Sequence, residues 1–274
     1  MIIQDILSQS LIGLRKAETI YARVVQLSDF IFREEELEKK EEYLRELNYL
    51  LEGVKGVDTI LTIFNHKTYS PELEVGEELF WGLLPHEKGK ERMKKIFSIL
   101  HKDYTAFPIE STDWFTSVIS KIPFARKGNM KIHHCCMRFI RDDDKQIRVF
   151  SQGVPIQLDE DRNFKYTLNY IQNINHLIKK DYPFYWIRLS YGEQNEFVKT
   201  FHSEEKEYSN HDLLTVREKE VLQLISEDLD TKEIANRLSI STNTVGNHRS
   251  NMIEKLGARD TTALVQLAKM TGMI

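Results

Sequence analysis

The sequence predicts an α+β protein with an N-terminal helical extension, an antiparallel-sheet domain and a C-terminal four-helix domain. Three observations predict this order: helical periodicity near the N-terminus, β-branched and aromatic runs in the middle, and successive helix caps near the C-terminus. A chain of 274 residues is long enough for two separate cores. The predicted units are a helical extension at 1–54, a sheet domain at 55–200, a linker at 201–212 and a helical domain at 213–274.

Composition restricts the classes of partner. The net charge of −4 arises from 38 basic and 42 acidic residues, so any contact with nucleic acid must be local. The two cysteines, Cys135 and Cys136, are adjacent, which favours a reduced compartment and a cytoplasmic location over a disulfide framework. The first residues lack the pattern of a signal peptide, and no apolar run reaches the ~20 residues of a membrane span.

In the extension, apolar residues lie at helical spacing, and two helices are predicted. Residues 33–46 are densely charged with mixed sign, which is typical of a solvated helix face. A helix that binds another protein is the alternative for this segment, and it would make the chain an adaptor.

The sheet domain begins with a predicted strand over Thr59–Phe64, followed by helical segments at 78–84 and 88–101. Four strand-like runs follow, and an acidic turn at 142–145 joins the first two as a hairpin. An antiparallel meander is the simplest arrangement. Its predicted runs are 130–140, 146–157, 164–171 and 184–191.

The first of these runs contains a histidine pair followed by the cysteine pair. Strand alternation places His133 with Cys135 on one face and His134 with Cys136 on the other. Two ligands on each face do not complete a zinc site. We therefore expect packed strand residues, no metal and no cofactor.

The C-terminal region contains two capping boxes, Thr215 with Glu218 and Asp230 with Glu233. They predict a helix from about residue 215 and a second helix over 231–238. A tight turn at 239–241 leads into a third helix that ends at Gly257, and Asp260 caps a fourth. Ala235 is the small residue that a steep helix crossing requires. Ser239 occupies the turn position that is often glycine.

These segments resemble the LuxR-type DNA-binding domain. The matching residues are Leu214 to Leu222, Thr231 to Ala235, Thr244 with Val245, Asn247 with His248, and Glu254 to Gly257. The resemblance covers roughly 60 residues and implies a bacterial helix-turn-helix transcriptional regulator that binds double-stranded DNA. It also implies a homodimer that pairs through the fourth helix.

A helical wheel with Val245 pointing inward selects the outward face of the third helix for the major groove. Asn247 is the preferred base reader because an Asn amide can bond adenine in bidentate fashion. The family often has a long basic residue where Gly246 stands. The predicted base-reading residues are Asn243, Gly246, Asn247, Ser250 and Asn251, and the predicted phosphate contacts are Thr231, Lys232, Thr242, Thr244, His248, Arg249 and Lys255.

Residues 211–274 contain eight basic and nine acidic residues, a net charge of −1. Such a balance predicts modest affinity of a monomer for DNA. Dimerisation would double the phosphate contacts, which agrees with the homodimer that the resemblance implies.

The order of elements in the sheet domain resembles a PAS-type sensor. The acyl-homoserine-lactone domain of quorum sensors is the main alternative. Trp81, Trp114 and Trp186 are the candidates to line a ligand pocket. The signal is left open between a small molecule and a protein partner. An enzyme with a DNA-tethering tail is a further alternative, but the sequence contains no nucleophile–base motif or phosphate loop, so a non-enzyme is predicted.

Overall fold

The structure is a computed structural model. It describes residues 58–76, 80–81, 89–104, 118, 122, 130–141, 143–160, 163–191, 197–205 and 207–274. The predicted helical extension at 1–54, the greater part of the predicted helix at 78–84, and Trp114 lie outside these residues.

An eight-stranded antiparallel sheet dominates the part of the chain from residue 58 to residue 209 that the structure describes. Its spatial order is β2-β1-β5-β4-β3-β6-β7-β8. The helix α1, Gly89–Ser98, precedes a short 3-10 turn at Lys102–Tyr104. The strands are β1 Thr59–Asn65, β2 Ser70–Gly76, β3 Met130–Ile140, β4 Gln146–Leu158, β5 Phe164–Asn173, β6 Trp186–Tyr191, β7 Phe197–His202 and β8 Glu207–Ser209.

The predicted meander is confirmed for its first three runs, since β3, β4 and β5 pair in sequence order, and is wrong for the fourth, which does not pair with β5. The turn between β3 and β4 closes where the acidic cluster predicted it, with Arg141 N–H donating to the Lys145 carbonyl at 2.9 Å. Strand β6 pairs with the free side of β3, and β1 pairs with β5. The mixed α and β architecture predicted from the sequence is therefore present.

The sheet buries both of its faces. One face packs on an outer cluster that includes α1 residues such as Ile96 and strand residues such as Ile132, Phe139 and Leu189. The opposite face packs on an inter-domain cluster, which mixes sheet residues such as Trp186 with residues of the helical domain. Adjacent residues of β6 divide between the two clusters because successive side chains of a strand point to opposite faces.

Three strands were not predicted. Strand β2 contains Pro71 and two glutamates, but it lies at the edge of the sheet, where a missing N–H and exposed charges are tolerated. Strands β7 and β8 extend the opposite edge. Residues 201–202 and 207–209, which fall in the predicted linker, thus belong to strands β7 and β8, and Phe201 is buried in the outer cluster.

The predicted alternation along the histidine–cysteine run places His133 and Cys135 on one face correctly, but it is wrong for Cys136. A bulge shifts the register between Cys135 and Met137, and Cys136 takes a positive φ of 70°. The extra residue puts both thiols on the same side, in the inter-domain cluster. His133 stays buried and stacks on Phe150, with 5.8 Å between ring centroids.

The helical domain follows the sequence prediction closely. Its helices are α2 Val216–Ser226, α3 Thr231–Leu238, α4 Thr242–Leu256 and α5 Thr261–Met270. Both predicted capping boxes are present, at Thr215 and at Asp230. Gly257 ends α4 in the left-handed conformation. Among the described residues, no helix is both long and apolar enough to cross a membrane.

Candidate nucleic-acid interface

Helices α3 and α4 form a helix-turn-helix pair. Ile234 and Val245 are fully buried between them, and Ala235 lies at the crossing. The turn is closed by the Ile240 N–H, which donates to the Ala235 carbonyl at 3.0 Å. Ser239 adopts φ 54° and ψ 47°, the left-handed conformation that glycine would adopt with less strain. The packing that the sequence predicted for this motif is confirmed.

Helix α4 presents a polar face to solvent. Val245, Met252 and Leu256 point into the core, as the wheel predicted. A Cβ atom at Gly246, which is half-buried, would meet no atom within 4 Å beyond its own helix backbone and chain neighbours. The other predicted base readers are exposed on the side of α4 that faces away from the core. They are Asn243, Asn247, Ser250 and Asn251.

The predicted phosphate contacts divide by exposure. Lys232 and Thr242 are exposed, whereas Thr231, Thr244, His248, Arg249 and Lys255 are half-buried. Arg249 Nη2 donates to Thr231 Oγ1 at 3.1 Å and so ties α4 to the start of α3. The amides of Lys232 and Glu233 donate to Asp230, so the start of α3 has fewer free amides for an anion than its position in the motif suggests.

Lys255 has an internal partner. Its ammonium binds both carboxylate oxygens of Glu218 at 2.8 Å, which joins the end of α4 to the first turn of α2. Burial alone would raise the pKa of Glu218, but the bonds from Lys255 and Thr215 outweigh it and hold that pKa below its ordinary value. A phosphate would have to compete with this carboxylate for Lys255.

The last turn of α4 is capped by the sheet domain. Three carbonyls that an isolated helix would leave without partners receive donors from the sheet side. Tyr182 Oη donates to the Lys255 carbonyl at 2.9 Å, and Trp186 Nε1 approaches the Leu256 carbonyl at 3.5 Å. The Lys179 N–H donates to the Gly257 carbonyl at 2.9 Å. Helix α4, the recognition helix of the helix-turn-helix pair, is therefore held at its C-terminal end by the sheet.

A buried arginine makes a second connection. Arg188 lies in β6 with its side chain fully buried, and it forms a bidentate pair with Asp212. Its Nη1 donates to the Thr271 carbonyl, just beyond α5, at 2.9 Å. Lys219 of α2 forms a second ion pair with Asp212, so the three charged residues form a cluster. The only sequence signal for this site was a charged residue inside an otherwise apolar strand.

The predicted pocket residues do not converge. Trp186 is buried in the inter-domain cluster and Trp81 in the outer cluster, on opposite sides of the sheet. The indole of Trp186 packs against the helical domain, and its place in a ligand pocket stays a prediction. Trp114 lies outside the described residues. No group of three or more His, Cys, Asp or Glu side chains that could hold a metal ion occurs within the described part of the chain.

The fold and this exposed amide-rich helix define a helix-turn-helix DNA-binding protein. Residues 212–268 match the family described as bacterial regulatory proteins, luxR family. Over 67 residues the chain is 49% identical to the spore germination protein GerE of Bacillus subtilis, which corresponds to 24% of this chain and 90% of that protein. This chain belongs to the luxR family, and it is a LuxR-type DNA-binding transcriptional regulator.

The relationship with GerE is confined to the C-terminal region, as it is for a second relative. The transcriptional regulatory protein DesR of Bacillus subtilis is 43% identical over 65 residues, covering 24% of this chain and 33% of DesR. Solved structures similar over more of the chain include Vibrio cholerae VqmA, with 17% identity, a TM-score of 0.31, and coverage of 83% of this chain and 88% of VqmA. Escherichia coli SdiA has 16% identity and a TM-score of 0.26, with 93% and 98% covered.

Proposed function

We propose that the sheet domain is a PAS-like sensor that controls sequence-specific DNA binding by the helix-turn-helix domain. The contact between the sheet and the last turn of α4 carries this proposal. Tyr182 and Trp186 donate hydrogen bonds to carbonyls of the recognition helix, and both side chains belong to the sheet domain. A shift of the sheet would move these donors, so the orientation of the helix depends on the state of the sensor.

A small molecule is the proposed signal. Trp81 is 3% exposed, and its indole nitrogen has no hydrogen-bond partner among the described residues. A buried unpaired N–H costs about 1–3 kcal/mol, which a ligand with a hydrogen-bond acceptor would recover. Phe80 and Phe139 surround this indole edge to face. The acyl-homoserine-lactone domain stays an alternative assignment for the same region.

The proposal includes a homodimer in the cytoplasm and no enzymatic activity. The net charge of −1 over residues 211–274 supports dimerisation, because one copy has few cations for the phosphates. The resemblance to LuxR-type domains supports pairing through α5, on which Thr262, Gln266 and Lys269 are exposed.

Footprinting and gel-shift assays with genomic fragments test DNA recognition. Wild-type protein is expected to protect discrete sites, and Asn247→Ala is expected to lose about 1–3 kcal/mol of specific binding, since it removes a bidentate base contact. Asn163→Ala, an exposed asparagine in the turn between β4 and β5, is the matched control. Absence of any protected site with wild-type protein would contradict the proposed function.

Native mass spectrometry of protein purified from its source tests the signal. A retained small molecule that is lost in Trp81→Phe, with DNA binding altered on its removal, is the expected result. The conservative variant keeps the aromatic ring and removes only the indole N–H. Protein that carries no ligand and binds DNA equally well after refolding would contradict control by a small molecule.

A further inference from the structure

The exposed face of α4 that carries the predicted base readers, called the reading face below, has a negative charge at its C-terminal end. Glu254 lies on the same helical stripe as Asn243, Asn247 and Ser250, at successive spacings of four, three and four residues. Its side chain is 72% exposed, and it is the one acidic residue of α4. A carboxylate on this stripe would lie on the side of α4 that the asparagines present to a duplex, where its charge would oppose binding.

A cation from the sheet domain meets this carboxylate. Lys179 lies in the segment between β5 and β6, and its ammonium is ion-paired with Glu254. The main chain holds the two segments together, since Ile178 and Ala258 form an antiparallel bridge. The Arg259 N–H also donates to the Leu177 carbonyl at 2.7 Å. The backbone therefore places the lysine beside the glutamate.

The segment that carries Lys179 is fixed to the sheet. Arg148 of β4 is 3% exposed, and its guanidinium donates to the Lys180 carbonyl at 2.8 Å and to the Tyr182 carbonyl at 2.7 Å. Its backbone N–H donates to Asn175 at 2.8 Å. Lys180 itself is exposed next to the ion pair. The segment is thus held beside the end of α4, and its charged side chains are Lys179, Lys180 and the exposed Asp181.

We propose that Lys179 and Lys180 of the sheet domain form part of the DNA-binding surface. Lys179 neutralises Glu254 at the end of the reading face, and Lys180 extends the phosphate-binding surface beyond the LuxR-type domain. The inference rests on the proposed function, because it requires that α4 reads DNA. It deepens that function by giving the sensor domain a direct part in binding the duplex, in addition to its hold on the helix.

A double-mutant cycle on the full chain tests this charge relationship. Affinities for a footprinted site and for a scrambled duplex are measured by fluorescence anisotropy over a range of salt concentrations. Lys179→Met keeps the aliphatic stem and leaves the Glu254 charge without its cation, so it is expected to weaken DNA binding about 2- to 5-fold. The slope of log affinity against log salt is expected to flatten by up to about 0.9, the value for one phosphate contact.

The remaining variants of the cycle distinguish an effect of charge on DNA binding from an effect on folding. Lys179→Met with Glu254→Gln restores the charge balance, so affinity and salt slope are expected to return close to wild type. Glu254→Gln alone frees Lys179 for phosphate and is expected to tighten binding. Lys145→Met is the matched control, because Lys145 is also paired with a carboxylate, Asp143, but lies at the β3–β4 turn.

Each outcome decides between the two proposals. Specific binding by wild type with unchanged affinity in Lys179→Met would overturn this inference and leave the proposed function in place. A double variant as weak as Lys179→Met would also overturn it, since the lysine would then act through docking and not through charge. Absence of specific binding by wild-type protein would overturn the proposed function and the inference together.

Discussion

Arg188 and Asp212 form a bidentate ion pair in which the arginine side chain is 0% exposed and the aspartate side chain 8%. Both guanidinium–carboxylate hydrogen bonds measure 2.9 Å. A third bond, from Arg188 to the Thr271 carbonyl, reaches the C-terminus of α5. The pair therefore joins a central strand to both ends of the helical domain.

Arg188→Met is expected to lower the free energy of unfolding by about 3–5 kcal/mol, because it leaves the Asp212 carboxylate buried without its main partner. Urea unfolding measures the change. Arg237→Met is the control, since that side chain is 62% exposed and 3.9 Å from Glu227. A loss below about 1 kcal/mol for Arg188→Met, within the range of surface ion pairs, would show that the cluster does not hold the domains together.

Tyr182→Phe is expected to destabilise the protein by about 1 kcal/mol, since it removes one hydroxyl bonded to both the Lys255 carbonyl and His202 Nε2. Hydrogen exchange should show the loss of protection concentrated in the last turn of α4. Tyr208→Phe, on a side chain that is 45% exposed, is the control. Uniform protection in both variants would argue against capping by Tyr182.

Stability is expected to fall as the pH is lowered from about 6.5 to 5, in part because of His133. Burial, with Arg188 nearby, holds the pKa of His133 well below its ordinary value. The unfolded chain therefore binds a proton in this range that the folded protein excludes, which costs up to about 1.4 kcal/mol per pH unit.

The variant His133→Gln tests this contribution, because it should flatten the dependence of the urea midpoint on pH. His211→Gln, which changes an exposed histidine, shows whether loss of any imidazole has the same effect. Parallel pH profiles for wild type and His133→Gln would contradict the assignment.

Substitutions at Gly246 test whether an added side chain on α4 can strengthen DNA binding. Gly246→Ala is expected to stabilise α4 by about 1 kcal/mol, because no atom lies within 4 Å of the added carbon. Gly246→Lys adds a cation on the reading face, so the salt slope of DNA binding should steepen by up to about 0.9. Gln266→Lys adds the same charge on α5, and an equal effect there would show that the position on α4 is immaterial.

The helical domain could be predicted almost to the residue because its signals are local. The side chains of Thr215 and Asp230 cap helices within three residues of themselves, and Gly257 ends α4 by its own conformation. The central strands were also predicted, since β3 to β5 are long and contain β-branched and aromatic residues. The exposed face of α4 followed from helical periodicity alone.

Features that depend on distant contacts were not predictable. The bulge at Cys136 moves one thiol across the sheet, and no residue type at that position indicates it. The sequence of β2 is polar and has no strand pattern, because an edge strand tolerates charged residues and proline. The roles of Tyr182 and Lys179 arise from docking on carbonyls about 75 residues further along the chain, which sequence spacing does not encode.

The reactivity of the cysteine pair can be used to measure how often the helical domain leaves the sheet. Cys135 and Cys136 are 0% exposed in the inter-domain cluster, and the Cys136 thiol is directed at the Leu256 carbonyl, 3.8 Å away. An alkylating reagent can reach them only when the helical domain lifts from the sheet or the fold opens. Where unfolding is slower than this release, the rate at which these thiols are modified reports how often the helical domain leaves the sheet, and a signal or a DNA site that alters docking will change that rate.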